Sequence, residues 1–113
     1  LEFRRVLFRS KKIQEFQIKS KLQNITVEFN STILSIQLQR GVPFMYMIVD
    51  TMQELVTRTF VFVKTGEKIP EGYIQYHGTF ETSELWSGFD FKNNEILKEW
   101  CVYHCFELLS SQV

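Results

Sequence analysis

Residues 33–39 alternate apolar and polar side chains, and this alternation limits the fold more than any other feature of the sequence. Successive side chains of an extended strand point to opposite faces, so Leu34, Ile36 and Leu38 share one face, while the serine and glutamines between and after them share the other. We therefore predict a half-buried strand whose Leu34, Ile36 and Leu38 side chains point into the core.

Similar short segments recur along the chain, separated by turn-forming residues at the spacing typical of an all-β domain. The predicted strands are 13–18, 25–29, 33–39, 44–49, 56–63 and 73–81. Gly78 lies inside the last of these, where glycine predicts a bulge or a close approach of another backbone. We predict a mainly antiparallel all-β fold, a small β-sandwich or roll, with one short helix in the C-terminal third left open.

The segment 44–49 is apolar on both faces. Gly41 can adopt positive φ, so the turn before this segment makes it the hairpin partner of strand 33–39. A strand that is apolar on both faces normally lies centrally, covered on both sides by other elements or by a second subunit. This segment is the reason for expecting a homo-oligomer.

Composition limits the chain to one folded domain. Its 113 residues are 44% hydrophobic and 15% aromatic, enough apolar surface to offset the entropy lost on ordering. Thirteen basic and thirteen acidic residues are scattered and cancel, so no basic face for a phosphate backbone is visible. The longest apolar stretch, 42–49, is far shorter than the roughly 20 residues of a membrane-spanning helix. We expect no membrane association and disfavour a nucleic-acid partner.

The first ten residues do not look like part of the native protein. Residues 4–10 look like an in-frame translation of a sequencing adapter, and Glu2-Phe3 would be encoded by a common restriction site. We interpret 1–10 as a non-native artefact and 11–113 as a single β-rich domain; the alternative is a genuine basic arm. Removing its three Arg and one Glu leaves ten basic and twelve acidic residues, a net charge of −2. This stretch does not resemble a secretory signal, so a cytoplasmic location is the default expectation.

The segment 95–109 fits both a helix and a strand. A helix would place one apolar stripe on a single face, beginning at Leu97 with Asn94 as its cap. A strand would divide the same residues between two faces. Those faces are Trp100, Val102, His104 and Phe106 on one side, and Cys101, Tyr103 and Cys105 on the other. Residues 83–94 before it are interpreted as a long connection with room for a short extra hairpin.

Several short motifs resemble, in their order, a family of small uncharacterised β domains found in bacteriophage genomes and metagenomes. The motifs span residues 33–107 and are Ile33–Gly41, Val49-Asp50, Thr65-Gly66 with Pro70, Gly78-Thr79-Phe80 and Tyr103–Glu107. The family's closing motif looks like a strand, which favours a strand over 100–107. The stretch between Phe80 and Trp100 is longer than the short hairpin expected of the family. The resemblance implies a phage or prophage origin and a bacterial cytoplasmic setting, and it supplies no site residues.

Cys101, His104 and Cys105, with His77 elsewhere, have metal-ligand chemistry. In a strand, Cys101 and His104 face opposite sides. Cys101 and Cys105 would lie about 13 Å apart at roughly 3.3 Å per residue, too far for one zinc ion or a disulfide. In a helix they would share a face, but no Cys-x-x-Cys pair is present to complete a zinc site. We predict buried structural cysteines and no metal or other cofactor.

His104 is also a candidate general base, since histidine titrates near neutral pH. It is accompanied by no nucleophile elbow, phosphate-binding loop or dinucleotide fingerprint, so we interpret it as a hydrogen-bonded residue of a β face. Asn24-Ile25-Thr26 and Asn30-Ser31-Thr32 match the glycosylation sequon and are interpreted as strand and turn residues.

Aromatic residues near the C-terminus could form a stacking platform for single-stranded nucleic acid or a sugar. They are Trp86, Phe89, Phe91, Trp100 and Tyr103. Only Lys92 and Lys98 lie among them, too few cations for a nucleic-acid site, so we expect these rings to fill the core and cover a sheet edge.

The sequence therefore identifies no catalytic, cofactor-binding or metal-binding residue. We expect a non-enzymatic, phage-associated accessory or protein-interaction domain, either a homo-oligomer or bound to a protein partner. The alternative is a small β domain that binds single-stranded nucleic acid in phage replication or regulation.

Overall fold

The computed structural model describes residues 10–72, 74–83 and 100–109, and these residues form seven β-strands. The strands are β1 Lys11–Gln17, β2 Leu22–Glu28, β3 Thr32–Gln39, β4 Val42–Asp50, β5 Leu55–Lys64, β6 Ile74–Ser83 and β7 Trp100–Leu108. Every strand pairing is antiparallel, and the described residues contain no helix. The predicted all-β fold is confirmed.

Two sheets pack face to face. One has three strands in the order β1-β4-β3, and the other has four in the order β2-β5-β7-β6. Both sheets contribute to one hydrophobic core, so the molecule is a small sandwich. The buried core residues are Ile18, Ile25, Val27, Met45, Met47, Val49, Phe60, Phe62, Phe80, Cys101, Tyr103 and Cys105.

The β3–β4 hairpin forms as predicted. Arg40 and Gly41 have φ values of 56° and 82°, the two consecutive positive angles of a tight hairpin turn. β4 is the central strand of its sheet, as expected, and Met45 and Met47 on its inner side are fully buried. The opposite side is half-buried, and within the described residues the second sheet packs on the inner side alone. The sequence predicts that other elements or a second subunit cover both sides of this strand, and for the outer side this stays a prediction.

The predicted orientation of β3 is partly wrong, because a β-bulge interrupts the strand. The pairing with β4 shifts between Ile33 and Ser35, so Leu34 is the extra residue. Beyond the bulge the alternation restarts, and Ile33 and Ile36 both pack against the core. Leu34 is instead 47% exposed. Leu38 lies on the same side as Ile36 but near the end of the strand, where it is 37% exposed.

A second bulge, in β6, confirms what Gly78 predicted. The pairing of β6 with β7 shifts between Tyr76 and Gly78, which leaves His77 as the extra residue. A Cβ atom on Gly78 would lie 3.5 Å from Ile36 Cδ1 on the facing sheet. Such an atom would be in ordinary van der Waals contact, so β3 and β6 are packed against each other at Gly78.

β7 settles the ambiguity between helix and strand. Residues 100–108 form a strand between β5 and β6, and their alternation is the one predicted. Cys101, Tyr103 and Cys105 are buried, while Val102, His104 and Phe106 are half-exposed on the other face. The sequence also predicts a connection over residues 83–94 with room for an extra hairpin, and it leaves open a short helix in the C-terminal third. These elements fall largely on residues 84–99, which lie outside the described residues.

Candidate functional site

The candidate metal ligands of β7 lie on opposite sides of its sheet. Cys101 and Cys105 are buried thiols that form no disulfide with each other, and their predicted burial is confirmed. His104 lies on the outer side, where it is paired with Val63 and Thr79. Within the part of the chain that the structure describes, no group of three or more His, Cys, Asp and Glu side chains is arranged to hold a metal ion.

His104 is held by hydroxyl groups on both sides of its ring. The hydroxyl oxygen of Thr65 lies 2.8 Å from Nε2, and that of Thr79 lies 3.0 Å from Nδ1. Thr79 is bonded in turn to the Tyr76 hydroxyl at 2.5 Å. The prediction of a hydrogen-bonded histidine on a β face is confirmed, and both ring nitrogens already have a partner.

A buried ion cluster, formed by Arg58, His77 and Glu107, lies on the inner side of the four-stranded sheet. Arg58 donates from Nε to Glu107 Oε2 and from a terminal nitrogen to Oε1, each at 2.8 Å. His77 Nε2 lies 2.8 Å from the same Oε1 atom. The side chains of His77 and Glu107 are only 11% and 8% exposed. One carboxylate therefore joins neighbouring strands β5, β6 and β7.

The surroundings of the ion cluster hold the guanidinium in place. Its remaining terminal nitrogen donates to the Ser31 carbonyl at 2.7 Å, which links the sheet to the β2–β3 turn. The guanidinium carbon also lies over the Phe60 ring, 5.6 Å from the centroid, and the His77 ring is tilted against the same Phe60 ring at a centroid distance of 5.9 Å. The cation–π contact and the bidentate pairing together fix the orientation of the arginine.

The ion cluster changes the ionisation of two groups. Burial alone would raise the pKa of Glu107, but hydrogen bonds from Arg58 and His77 outweigh burial and hold that pKa below its ordinary value. Burial, and then the nearby charge of Glu107, raise the pKa of the Cys105 thiol to about 12. At neutral pH, Glu107 is therefore ionised and the Cys105 thiol is protonated. The Glu107 carboxylate can then hold β5, β6 and β7 together through Arg58 and His77.

Sequence reasoning missed the ion cluster although its signal was present. Glu107 continues the alternation of Cys101, Tyr103 and Cys105, so the strand predicted for β7 already placed a carboxylate on the buried side. A buried carboxylate requires a cationic partner. The pattern did not identify Arg58 as that partner, because it does not show that β5 lies beside β7.

The exposed side of the three-stranded sheet carries an apolar strip, which we call the β4 surface. Phe44, Tyr46 and Ile48 are its half-buried centre on β4. Ile13 of β1 is paired with Ile48 and is 63% exposed, which widens the strip at one end. A contiguous exposed apolar patch marks an interaction surface more often than a scattered apolar residue does.

The border of the β4 surface is polar and almost free of charge. Gln17 lies beside Phe44 on β1, and Ser35 and Gln37 lie beside β4 on the other edge. Glu15 is charged and lies at the middle of the strip, opposite Tyr46, and Lys11 and Asp50 are an oppositely charged pair at one end. An apolar centre with a polar, hydrogen-bonding border is the usual anatomy of a protein–protein interface.

Tyr46 is the polar group at the centre of the β4 surface. The Gln39 side-chain amide donates a hydrogen bond to its hydroxyl oxygen, and the hydroxyl donates to the Glu15 carboxylate. Loss of hydration, followed by the negative charge of Glu15, raises the pKa of Tyr46. The phenol therefore stays protonated at neutral pH and joins all three strands of the sheet.

The predicted aromatic platform is only partly within the described residues. Tyr103 is 2% exposed and stacks on Phe80 with a centroid distance of 5.7 Å, so it fills the core as expected. Trp86, Phe89 and Phe91 lie outside the described residues, as does the side chain of Trp100. Of the two sequons, Asn24 lies in β2 and Asn30 in the turn after it, as interpreted from the sequence.

In the described ranges 10–72, 74–83 and 100–109, no helix is long and apolar enough to cross a membrane.

Comparison with sequence families gives one match. The family described as Domain of unknown function (DUF7352) matches residues 9–89. The chain belongs to this family. The match confirms that the domain is one of unknown function. No curated protein and no solved structure matches the chain.

The family match covers a different range from the motifs that suggested a resemblance in the sequence analysis, although the two ranges overlap between residues 33 and 89. The match includes β1 to β6 and ends before β7, so the closing motif, Tyr103–Glu107, lies outside it. Two members of the ion cluster, Arg58 and His77, and the whole β4 surface lie inside it.

Proposed function

We propose that this protein is a non-enzymatic interaction domain that self-associates through the β4 surface. The observation that carries the proposal is that the central strand of a sheet is apolar on its exposed side, at Phe44, Tyr46 and Ile48. Removing such a strip from contact with water is favourable by about 25 cal/mol for each Å² of apolar area.

The charge distribution favours a second copy as the occupant. The border of the strip is made mostly of amides and hydroxyls, so two copies related by a two-fold axis can approach without facing rows of like charge. At one end of the surface, Lys11 and Asp50 are cross-strand partners of opposite charge. A two-fold arrangement uses the same patch on both molecules, and such a patch must be self-compatible in charge.

The size of the surface indicates a weak dimer. Three strands spaced about 4.8 Å apart, each about seven residues long, give a face of roughly 14 by 25 Å, or about 350 Å² on each copy. Stable interfaces bury about 1,200–2,000 Å² in total, roughly two to three times what two such faces provide. We therefore expect dissociation constants in the micromolar range or above.

The broader setting of the proposal is a phage-encoded accessory domain in a bacterial cytoplasm. This part rests on the sequence resemblance alone. The chain's scattered charges make single-stranded nucleic acid the weaker alternative, which retention on single-stranded DNA tests. Retention by the full chain that disappears when Arg4, Arg5 and Arg9 are replaced by serine would assign it to those residues.

Substitution of Ile13 with lysine tests the β4 surface. Because Ile13 is 63% exposed, I13K adds a charge at the interface without disturbing the core. We expect sedimentation velocity at 10 µM to 1 mM to show concentration-dependent self-association of the unmodified protein and at least tenfold weaker association of I13K.

Ile69 provides the matched control. It is 54% exposed and lies in the β5–β6 connection, away from the β4 surface. I69K should therefore associate like the unmodified protein. Equal weakening in I13K and I69K, or an unmodified protein that stays monomeric at 1 mM, would contradict the proposal.

A further inference from the structure

The two sheets of the described residues have four edge strands, which differ in how they are protected against pairing with another chain. β3 and β6 each carry a bulge, and they pack against one another. β1 begins with Lys11 and Lys12, and Lys12 lies on the same side as buried Val49. Bulges, lysines and inward-facing charges all discourage edge pairing. β2, with the sequence LQNITVE, has none of these, and its single charge is at its last residue.

The hydrogen-bond pattern shows which backbone groups of β2 face outward. The Phe62 N–H donates to the Lys21 carbonyl at 2.8 Å, and the Phe29 N–H donates to the Glu54 carbonyl at 2.8 Å. Bonding alternates along an antiparallel pair, so the odd-numbered residues of β2 face β5. The N–H and C=O groups of the even-numbered residues therefore point away from the sheet.

At both ends of β2, turn residues bind the backbone groups that point away from the sheet. The Leu22 carbonyl accepts a bond from the Ser20 hydroxyl at 2.8 Å. The Glu28 carbonyl accepts bonds from the Ser31 N–H at 3.2 Å and the Ser31 hydroxyl at 2.6 Å. Asn24 and Thr26 remain between the turns, and within the described ranges β5 is the only strand that β2 pairs with.

We infer that the free edge of β2 pairs with β2 of a second copy, antiparallel about a two-fold axis at Ile25. In this register Asn24 lies opposite Thr26 of the second copy and Thr26 opposite its Asn24, which makes four backbone hydrogen bonds. Two four-stranded sheets then join into one sheet of eight strands.

The side chains suit this register. The charged residue of β2, Glu28, would lie opposite Leu22 of the second copy, so no like charges face each other. Asn24 and Thr26 are neutral and already bonded within their own sheet, to Thr59 at 2.7 Å and Thr57 at 3.2 Å. Ile25, 5% exposed, would meet its own copy at the axis. This contact is separate from the β4 surface.

A proline at position 26 tests the edge. T26P removes an N–H that points away from β5, a position where an edge strand tolerates proline. T26A removes the hydroxyl but keeps this N–H and is the matched control. Both are made in the I13K protein, where the β4 surface is blocked. We expect I13K and I13K/T26A to dimerise at 1 mM and I13K/T26P to associate at least tenfold more weakly.

The outcomes separate the two contacts. Self-association of the unmodified protein that I13K alone abolishes would overturn edge pairing and leave the β4 surface supported. Association that I13K leaves at full strength but T26P abolishes would support edge pairing and overturn the β4 surface, whereas association that each substitution weakens supports both contacts. Association that survives both substitutions would overturn edge pairing.

Amide exchange in the unmodified protein provides a test that needs no substitution. The amide hydrogens of Asn24 and Thr26 should exchange more slowly with deuterium at 1 mM than at 10 µM, since pairing protects them. Rates that do not change with concentration would overturn the inference even if T26P fails to fold.

Discussion

At the scale of single residues, the ion cluster shows how a polar side chain becomes tolerable in a sandwich core. Glu107 is 6% exposed, and an isolated carboxylate in that position would be costly. Bidentate pairing with Arg58 and a bond from His77 offset this cost. Removing Glu107 takes away the carboxylate that both Arg58 and His77 bind, and breaking a buried pair from one side destabilises more than the intact pair stabilises.

Glu107→Gln should destabilise the fold at neutral pH. Arg58 and His77 would lose the carboxylate charge, and breaking a buried ion pair from one side costs about 3 kcal/mol. Urea unfolding followed by circular dichroism measures the loss. E67Q is the control, because the Lys21–Glu67 pair, at 2.8 Å, is on the surface and should contribute less than about 1 kcal/mol. Equal losses for E107Q and E67Q would contradict the prediction.

The contribution of Glu107 should also depend on pH. Its pKa in the folded protein is below the ordinary value of 4.5, so the stabilisation is fully present above that pH and is lost as the pH falls through the folded pKa. The unfolding free energies of the unmodified protein and E107Q should therefore converge in acid. A difference that stays constant from pH 7 to pH 3 would show that ionisation of Glu107 is not its source.

The Cys105 thiol should be unreactive while the protein is folded. A pKa of about 12 leaves almost no thiolate at pH 8, and the thiolate is the reactive form. Iodoacetamide labelling mapped by mass spectrometry should modify Cys105 only in urea, whereas a cysteine placed at exposed position 65 (T65C) should react at once. Comparable native rates at the two positions would contradict the burial of Cys105.

At the scale of strands, two bulges decide which side chains reach the core. Alternation predicted the existence of β3 and the inward orientation of Ile36, but the extra residue at Leu34 places Ile33 on the inner side and leaves Leu34 exposed. The sequence carries no distinct signal for this bulge, since Leu34 is as apolar as its neighbours. The β6 bulge was predictable, because Gly78 is unusual inside a strand.

Alanine substitutions in β3 should reveal the bulge. Ile36 packs against the core and lies opposite Gly78, so I36A should cost about 2 kcal/mol. Leu34 is 47% exposed, and L34A should cost less than about 1 kcal/mol. Uninterrupted alternation would instead give the two substitutions similar costs. Chemical denaturation of both variants measures the difference.

At the scale of the whole molecule, the strands could be predicted from sequence, whereas their order in the sheets could not. Alternation and turn residues identify each strand, because both are local properties. Pairing of β1 with β4, and of β7 with both β5 and β6, depends on contacts between distant residues. The cysteine placement was predictable from one strand, whereas the ion cluster required knowledge of three.

The position of β7 has a consequence for the order of folding. This strand follows the other six in the sequence, yet it lies between β5 and β6 and supplies the carboxylate that Arg58 and His77 bind. On a translating ribosome, β5 and β6 therefore emerge before the strand that separates them, and Arg58 and His77 emerge before the carboxylate that they bind. The larger sheet can be completed only after residue 108 leaves the exit tunnel, so the nascent chain needs β7 to reach its native fold.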